Sequence, residues 1–391
     1  MKELLRLALG CTLAPAAVFA VYAPIPDQDQ GKAWAYVIGA SAYHDSNIFG
    51  SAIGEIDSMV YNLSASISYN GSLSDQTFVS AGYELSFDHV ADRPGKQNLA
   101  SHTLTGRIAH AFSSTTNIDI NELYQISKNP QSLLAGIPLN TDQSFKRNQF
   151  DLRFATAANR KTGIVLKYRN MDFAFDAASL AAQLDRMEQL LGVEADFAFL
   201  PETKLVGEYR FQDISYDTAG ALKDKQSNYL LVGFDHKPGE QLLLTGRAGF
   251  EDRQRDGAPD STAPFIEFTA RYTYGEDSFF AAGYSHLLEE ASDVARFTDT
   301  KLNRIFANVQ HRLSGLVTAS TSLTYEPSQL QGRTGVSDVD EDAVRLGLAL
   351  VWLPTKNWTI TTTFDLDRIS SDDSNRDQDR TRFGISARLS L

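Results

Sequence analysis

The clearest structural pattern in the chain is VRLGLALVW, residues 344–352, near its end. Every second residue from Val344 to Trp352 is large and apolar, and the residues between them are small, charged or of little bulk. A period of two is typical of a β-strand whose two faces meet different surroundings. The stretch therefore predicts a strand with one apolar and one polar face.

The same pattern organises the segments that follow. A short polar break, LPTKN at 353–357, separates this strand from a second one, WTITTTFDLD at 358–367. A longer acidic and polar stretch at 370–380 then precedes a last alternating strand, which ends at Leu391. Alternation of tight turns with long loops is typical of outer-membrane barrels, whose periplasmic turns are short and whose external loops are long.

Working back along the chain, the alternation repeats in hairpin after hairpin. Tight turns such as Asn70-Gly71 and Pro201-Glu202-Thr203 alternate with longer polar loops. We therefore predict an all-β fold, a closed antiparallel transmembrane β-barrel of about 18 strands in the cell outer membrane, with short periplasmic turns and long extracellular loops. No shift in composition divides residues 24–391, so the barrel is predicted as one domain.

Two segments depart from the plain pattern. Residues 179–191 also fit helical spacing, and we interpret their first half as a helical turn in an external loop and their second half as the start of a strand. A core helix of a soluble domain is the alternative reading. The fifth predicted strand, near Ile118 to Ile126, is weaker, because its alternation falters at Glu122 and Leu123.

The N-terminus predicts export. Lys2 and Arg6 precede an apolar run from Leu7 to Tyr22, and small residues at Ala20 and Ala23 fit a cleavage site. Residues 1–23 are therefore predicted to be a signal peptide. The single Cys, Cys11, lies in that run, where an incidental residue is preferred over a lipid attachment site.

Composition and motifs exclude several classes of function. The net charge of -13 argues against a nucleic-acid partner, which needs a basic face. The seven His show no metal-ligand spacing, and neither a Gly-x-Ser-x-Gly elbow nor a phosphate-binding glycine loop occurs. We therefore expect no enzyme activity, no metal and no cofactor.

Arginines recur on the polar faces of the predicted strands. If the apolar faces meet lipid, these arginines line the interior, where a guanidinium can bind carboxylate or phosphate oxygens in a bidentate manner. The alternative is that they pair with interior carboxylates such as Glu84, Glu208 and Glu267 and simply satisfy a packed polar interior. The candidate lumen-lining residues are Arg107, Arg153, Arg169, Arg210, Arg247, Arg271, Arg304, Arg345, Arg382 and Arg388.

The end of the first strand resembles a known family signature. The motif Tyr43-His44-Asp45-Ser46-Asn47-Ile48 resembles the Tyr-Asp-Ser/Asp-Asn-Ile sequence that opens the β-barrel porin 2 family of outer-membrane proteins. Proline-containing hairpins at 200–205 and 353–358 are similar to that family too. The resemblance implies an outer-membrane barrel, with an association with exopolysaccharide gene clusters in some members.

The sequence thus favours a porin-like passive channel for small hydrophilic solutes, either anionic or saccharide. Two alternatives stay open: a barrel for exopolysaccharide export or surface attachment, and a secreted carbohydrate-binding β-protein. Expected partners are outer-membrane lipid and lipopolysaccharide, and the barrel-assembly machinery during biogenesis; a polysaccharide partner belongs to the export alternative. The exposed strand faces permit a homo-oligomer without requiring one.

Overall fold

The computed structural model describes residues 33–391, and the predicted signal peptide with Cys11 lies outside the described residues. The chain forms a single 18-stranded sheet with two short α-helices and one 3-10 helix. The strands are β1 (Trp34–Asp45), β2 (Ser58–Ser74), β3 (Thr77–Val90), β4 (Asn98–Ala111), β5 (Thr116–Ser127), β6 (Phe145–Ala157), β7 (Thr162–Phe175), β8 (Arg186–Leu200), β9 (Thr203–Tyr216), β10 (Lys225–His236), β11 (Leu242–Arg255), β12 (Ser261–Gly275), β13 (Ser278–Glu290), β14 (Phe297–Arg312), β15 (Val317–Gly332), β16 (Val339–Trp352), β17 (Trp358–Ser371) and β18 (Gln378–Ser390).

The sheet closes on itself. Each strand pairs antiparallel with its neighbours in the chain, and β1 also pairs with β18. Ile38 of β1, for example, lies opposite Ala65 of β2 on one side and Leu389 of β18 on the other. The predicted closed antiparallel barrel of about 18 strands is therefore confirmed, and this fold argues against the alternative of a secreted carbohydrate-binding β-protein.

Short and long connections alternate along the chain. Turns of two to five residues join β2 to β3 and every second pair after it, and these turns share one end of the barrel. The loops at the other end have five to seventeen residues and include α1 (Ala178–Leu184), α2 (Gly220–Lys223) and the 3-10 helix (Ser374–Arg376). The helical turn followed by a strand predicted over residues 179–191 is confirmed, since α1 leads directly into β8.

The two faces of the wall differ in chemistry. On β10 the outward Leu230 and Val232 are 69% and 67% exposed, whereas the inward Leu231 is buried. An outer surface covered with such side chains is unfavourable in water and favourable in lipid. Trp352 and Trp358 flank one short turn on this outer surface, where a periplasmic aromatic belt is expected. The wall is that of an outer-membrane barrel.

No helix within residues 33–391 is long and apolar enough to cross a membrane.

Candidate functional site

The longest external loop, residues 128–144 between β5 and β6, turns into the barrel mouth. Near its start, Asn129 Nδ2 donates to the Tyr43 hydroxyl of β1 at 2.9 Å. The Gln131 carbonyl accepts hydrogen bonds from Arg380 Nη1 at 2.9 Å and Arg382 Nη1 at 3.2 Å, both on β18. The loop is thus held against the seam where β18 meets β1, five strands from its own origin at β5.

The middle of the loop reaches the far side of the mouth. Ala135 packs with Ala343 of β16 and Ile369 of β17, and its carbonyl accepts a hydrogen bond from Ser292 Oγ at 3.2 Å. Ser292 belongs to the loop between β13 and β14, eight strands around the barrel from the β5–β6 junction. Because eight strands are nearly half the circumference, the loop crosses the mouth.

An apolar cluster fixes the loop on its other flank. Leu134 and Ile137 of the loop pack against a buried group made of residues from α1, β9 and the β13–β14 loop. That group is Leu180, Leu184, Ile214, Tyr216 and Val294. Contacts on both flanks hold this loop in a fixed position across the mouth. Because it narrows the opening, loop 128–144 is called the constriction below.

Ion pairs tie the two ends of the loop to neighbouring loops. Arg93 Nη2 lies 2.9 Å from Asp142 Oδ2, and Lys128 pairs with Asp176. Burial alone would raise the pKa of the Asp142 carboxyl, but hydrogen bonds from Ser144 and the nearby Arg93 outweigh it and hold that pKa below its usual value. Asp142 is therefore ionised across the physiological pH range.

Most of the ten arginines predicted to line the lumen lie beside carboxylates. Seven of them form ion pairs: Arg107 with Asp119, Arg169 with Asp151, Arg210 with Glu208, Arg247 with Asp235, Arg304 with Glu289 and Glu326, Arg345 with Glu326, and Arg382 with Asp367. Each pair joins side chains of one strand or of near neighbours, so the charges neutralise each other locally along the wall. For these seven, the structure favours the alternative of a satisfied polar interior.

The other three predicted arginines have different surroundings. Arg153 donates to Asn117 Oδ1 at 3.5 Å, and Arg388 is half-buried on β18. Arg271 is exposed, with its guanidinium carbon 3.9 Å from the centre of the Phe279 ring. Among residues 33–391, Arg271 has no carboxylate within ion-pair distance, which leaves its charge uncompensated.

Hydroxyl side chains line part of the lumen. Inward positions on β15, β17 and β2 carry hydroxyls, whereas inward charged side chains lie on β4 to β12 and also on β14, β16 and β18. The hydroxyl wall consists of Ser320, Ser322, Thr324, Thr359, Thr361, Thr363, Ser64, Ser66 and Ser68. A solute inside the barrel therefore meets hydroxyls as well as charged side chains, since Arg345 of β16 and Arg382 of β18 point inward between the hydroxyl-bearing strands.

The motif that carries the family resemblance forms a corner at the end of β1. Asn47 is fully buried; its Nδ2 donates to the Ser51 carbonyl at 2.9 Å and to the Asp379 carbonyl at 3.1 Å. Ser46 Oγ accepts from the Thr381 amide at 2.8 Å, and Ile48 is buried in a small apolar cluster.

The other motif residues extend this corner in three directions. Tyr43 reaches the crossing loop, Asp45 pairs with Arg380 at 2.6 Å, and His44 lies 3.5 Å from Asp57 at the surface. The motif thus binds the first strand to the last strand and to the constriction.

Two charged groups in the barrel were missed by sequence reasoning. Lys225, Arg253 and Arg255 surround Asp299, which is 0% exposed. The alternation of apolar and polar residues is lost over residues 289–300, although β13 extends to Glu290 and β14 begins at Phe297. Arg380 likewise lies in the polar stretch 370–380, although β18 begins at Gln378. Both groups lie where strands continue beyond the membrane, and there the period of two weakens because both faces are polar.

Comparisons with known proteins bear on the fold. No protein-family model matches the sequence, and no curated protein matches it. Solved structures are similar: the outer membrane protein OpdK from Pseudomonas aeruginosa has a TM-score of 0.50 at 12% identity, covering 92% of this chain and 99% of that one. OccK5 (OpdH) from the same organism gives 0.50 at 12% identity, covering 92% and 98%.

A third structure comes from another organism. OccAB4 of Acinetobacter baumannii has a TM-score of 0.50 at 11% identity, covering 93% of this chain and 100% of that one. At such identities the likeness shows the fold alone, and it agrees with the strand pairing described above. The chain has the fold of an 18-stranded outer-membrane barrel of the porin type.

Proposed function

We propose that this protein is a passive channel for small hydrophilic solutes across the outer membrane. One observation carries the proposal: an 18-stranded wall with a polar interior is crossed at its mouth by the fixed loop 128–144. Barrels of this strand number are wide enough for an aqueous channel. A crossing loop narrows such a channel to the size of small solutes, as selective passage requires.

The proposed solutes are anionic or polyhydroxylated. On the inward face of β4 to β7 there are five cations, Arg107, Arg147, Arg153, Lys167 and Arg169, and two carboxylates, Asp119 and Asp151. Five minus two leaves three positive charges on this part of the wall, although Glu194 and Glu208 of β8 and β9 also pair with Lys167. An excess of positive charge raises the local concentration of anions, and the hydroxyl wall supplies hydrogen bonds to sugars.

Passive transport requires neither a catalytic group nor a cofactor, so the proposal includes no enzyme activity. Within residues 33–391, no group of three or more His, Cys, Asp or Glu side chains is placed to hold a metal ion. The proposed surroundings are lipid and lipopolysaccharide against the outward apolar face, with insertion by the barrel-assembly machinery.

Membership of the β-barrel porin 2 family is also part of the proposal. It is supported by the motif Tyr43 to Ile48, whose side chains have a defined place at the seam between β1 and β18. Export of a polysaccharide chain, which some members of that family are associated with, needs a wide open lumen. The crossing loop opposes that use, so the passive channel is preferred.

Single-channel recording tests this function. We expect the full chain, refolded in detergent and added to a planar lipid bilayer, to give stable current steps, and a salt gradient to show preference for anions. Insertion without current would overturn the channel proposal and leave the barrel fold intact. Current with cation preference would overturn the assignment to anions but not the channel.

A further inference from the structure

The outward face of β5 to β7 carries polar side chains at mid-strand. The ion pair with Arg107 shows that Asp119 of β5 points into the barrel. Side chains alternate along a strand, so Glu122, three residues further on, points outward. The pairing register places Asn148 of β6 and Asn170 of β7 on the same outward face. This is where the apolar alternation of the fifth strand falters, and the group Glu122, Asn148 and Asn170 is called the β5–β7 patch below.

Glu122 lies deep in the membrane-facing surface. β5 runs from Thr116 to Ser127, so Glu122 is near its middle. With a rise of roughly 3.3 Å per residue and a tilt of roughly 40°, Glu122 lies roughly 13–15 Å from either end of the strand, measured along the membrane normal. At the same depth on β10, the outward side chains are all apolar, namely Leu230, Val232 and Phe234, as expected of a surface that meets hydrocarbon.

The patch is unsatisfied within the chain. Across the strands, Glu122 lies opposite Gly106 and Phe150, neither of which has a polar side chain, and Asn170 lies opposite Phe150 and Gln189. In the part of the chain that the structure describes, none of the three patch side chains makes a hydrogen bond or an ion pair. Polar groups facing lipid without partners are costly, and when they persist they mark sites of interaction.

We propose that the β5–β7 patch is the interface of a homodimer, in which a two-fold axis along the membrane normal passes close to Phe150 of β6. Such an axis places β5 of one copy against β7 of its partner. The carboxylate of Glu122 then accepts hydrogen bonds from the amide groups of Asn148 and Asn170 of the second copy. The two-fold axis therefore gives each of the three polar side chains a hydrogen-bond partner.

A second copy fits this surface because the surface is complementary to itself. Toward the outer end of the same face, Lys146 of β6 and Asp172 of β7 are exposed. Within residues 33–391 neither is in an ion pair, so each can pair with the opposite charge of the second copy. Tyr168, whose ring centre lies 6.2 Å from that of Phe150, supplies an aromatic anchor of the kind that dominates interface energies.

Disulfide cross-linking tests the axis. The full chain carrying Cys11→Ser and Phe150→Cys is expected to form a disulfide-linked dimer in membranes under mild oxidation. Leu323→Cys, an outward and exposed position on β15 away from the patch, is the matched control and is expected to form no disulfide-linked dimer. Absence of the Phe150→Cys dimer, or equal cross-linking at both positions, overturns the proposal.

Substitution tests the polar contacts. We expect Glu122→Leu to weaken dimerisation about tenfold or more, measured by sedimentation in mild detergent, and Glu122→Gln to weaken it less, because the amide keeps one acceptor. The control Thr321→Val removes an outward polar group from β15 and should leave dimerisation unchanged. An unchanged dimer in Glu122→Leu, or a trimer in the unsubstituted protein, contradicts the assignment.

If Glu122 served only to stabilise the barrel, its replacement would impair folding and membrane insertion. Removing a lipid-facing charge should leave the barrel as stable as before or more stable, so Glu122→Leu is expected to insert and conduct normally while it loses the dimer. Loss of insertion in this variant would identify Glu122 as a folding residue and overturn the interface. Normal conductance with loss of the dimer separates this inference from the channel function.

Discussion

The guanidinium of Arg380 on β18 and the carboxylate of Asp45 on β1 meet at 2.6 Å across the seam that closes the barrel. Arg380 is 2% exposed and Asp45 1% exposed. Arg380 also donates to the Gln131 carbonyl of the crossing loop at 2.9 Å. One buried ion pair therefore joins the first strand, the last strand and the constriction.

Loss of this pair should destabilise the barrel strongly. Arg380→Ala leaves the Asp45 carboxylate buried without its partner, which costs about 3–5 kcal/mol in other proteins. We expect a lower urea midpoint for unfolding in detergent, followed by tryptophan fluorescence. The double variant Asp45→Leu/Arg380→Met removes both charges and should recover most of the loss; equal instability of the two variants would contradict the ion-pair explanation.

Removal of the crossing loop should widen the channel. Replacing residues 132–141 by a short Gly-Ser linker removes the contacts of Leu134, Ala135 and Ile137 with the far wall. We expect single-channel conductance to rise about twofold or more, because the barrel itself is wide enough for an aqueous pore. A linker of the same kind in place of residues 333–338, another external loop, is the matched control. If conductance did not change, the loop would not be the constriction.

Ion preference should respond to the uncompensated charges of the lumen. Arg271 and Glu84 both lie on inward faces and are exposed. Arg271→Gln is expected to reduce the ratio of anion to cation permeability, and Glu84→Gln to increase it, since each removes one charge from the water-filled interior. Reversal potentials in a salt gradient measure both changes. Identical shifts in the two variants would rule out charge as the cause.

The tether between Arg93 and Asp142 predicts how the loop responds to acid. Because the pKa of Asp142 is held below its usual value, the tether is complete above the unfolded pKa of about 4 and is lost as the pH falls through the lower folded value. We therefore expect quiet currents from neutral pH down to about pH 5, and increased current noise below pH 4. Arg93→Gln should show that noise at neutral pH; noise that begins near pH 6 would point to a histidine instead.

The extent of each strand was predictable only where its two faces differ. Strands such as 344–352 alternate between apolar and polar residues because one face meets lipid and the other meets water. At the outer ends both faces are polar, so the alternation does not reveal the full extent of β14 and β18, where Asp299 and Arg380 lie. Glu122 broke the alternation for a different reason, because it is a polar residue on the lipid side.

The amino-acid pattern is enough to predict the closed antiparallel barrel, its approximate strand number, the order of turns and loops, and which side of each strand faces lipid. These depend on local periodicity, which neighbouring residues encode directly. The three-dimensional structure was needed to show that loop 128–144 crosses the mouth, and that seven of the ten predicted arginines are paired with carboxylates. Ion pairs and loop contacts join residues far apart in the chain, or depend on register between strands, and the period of one strand carries no information about either.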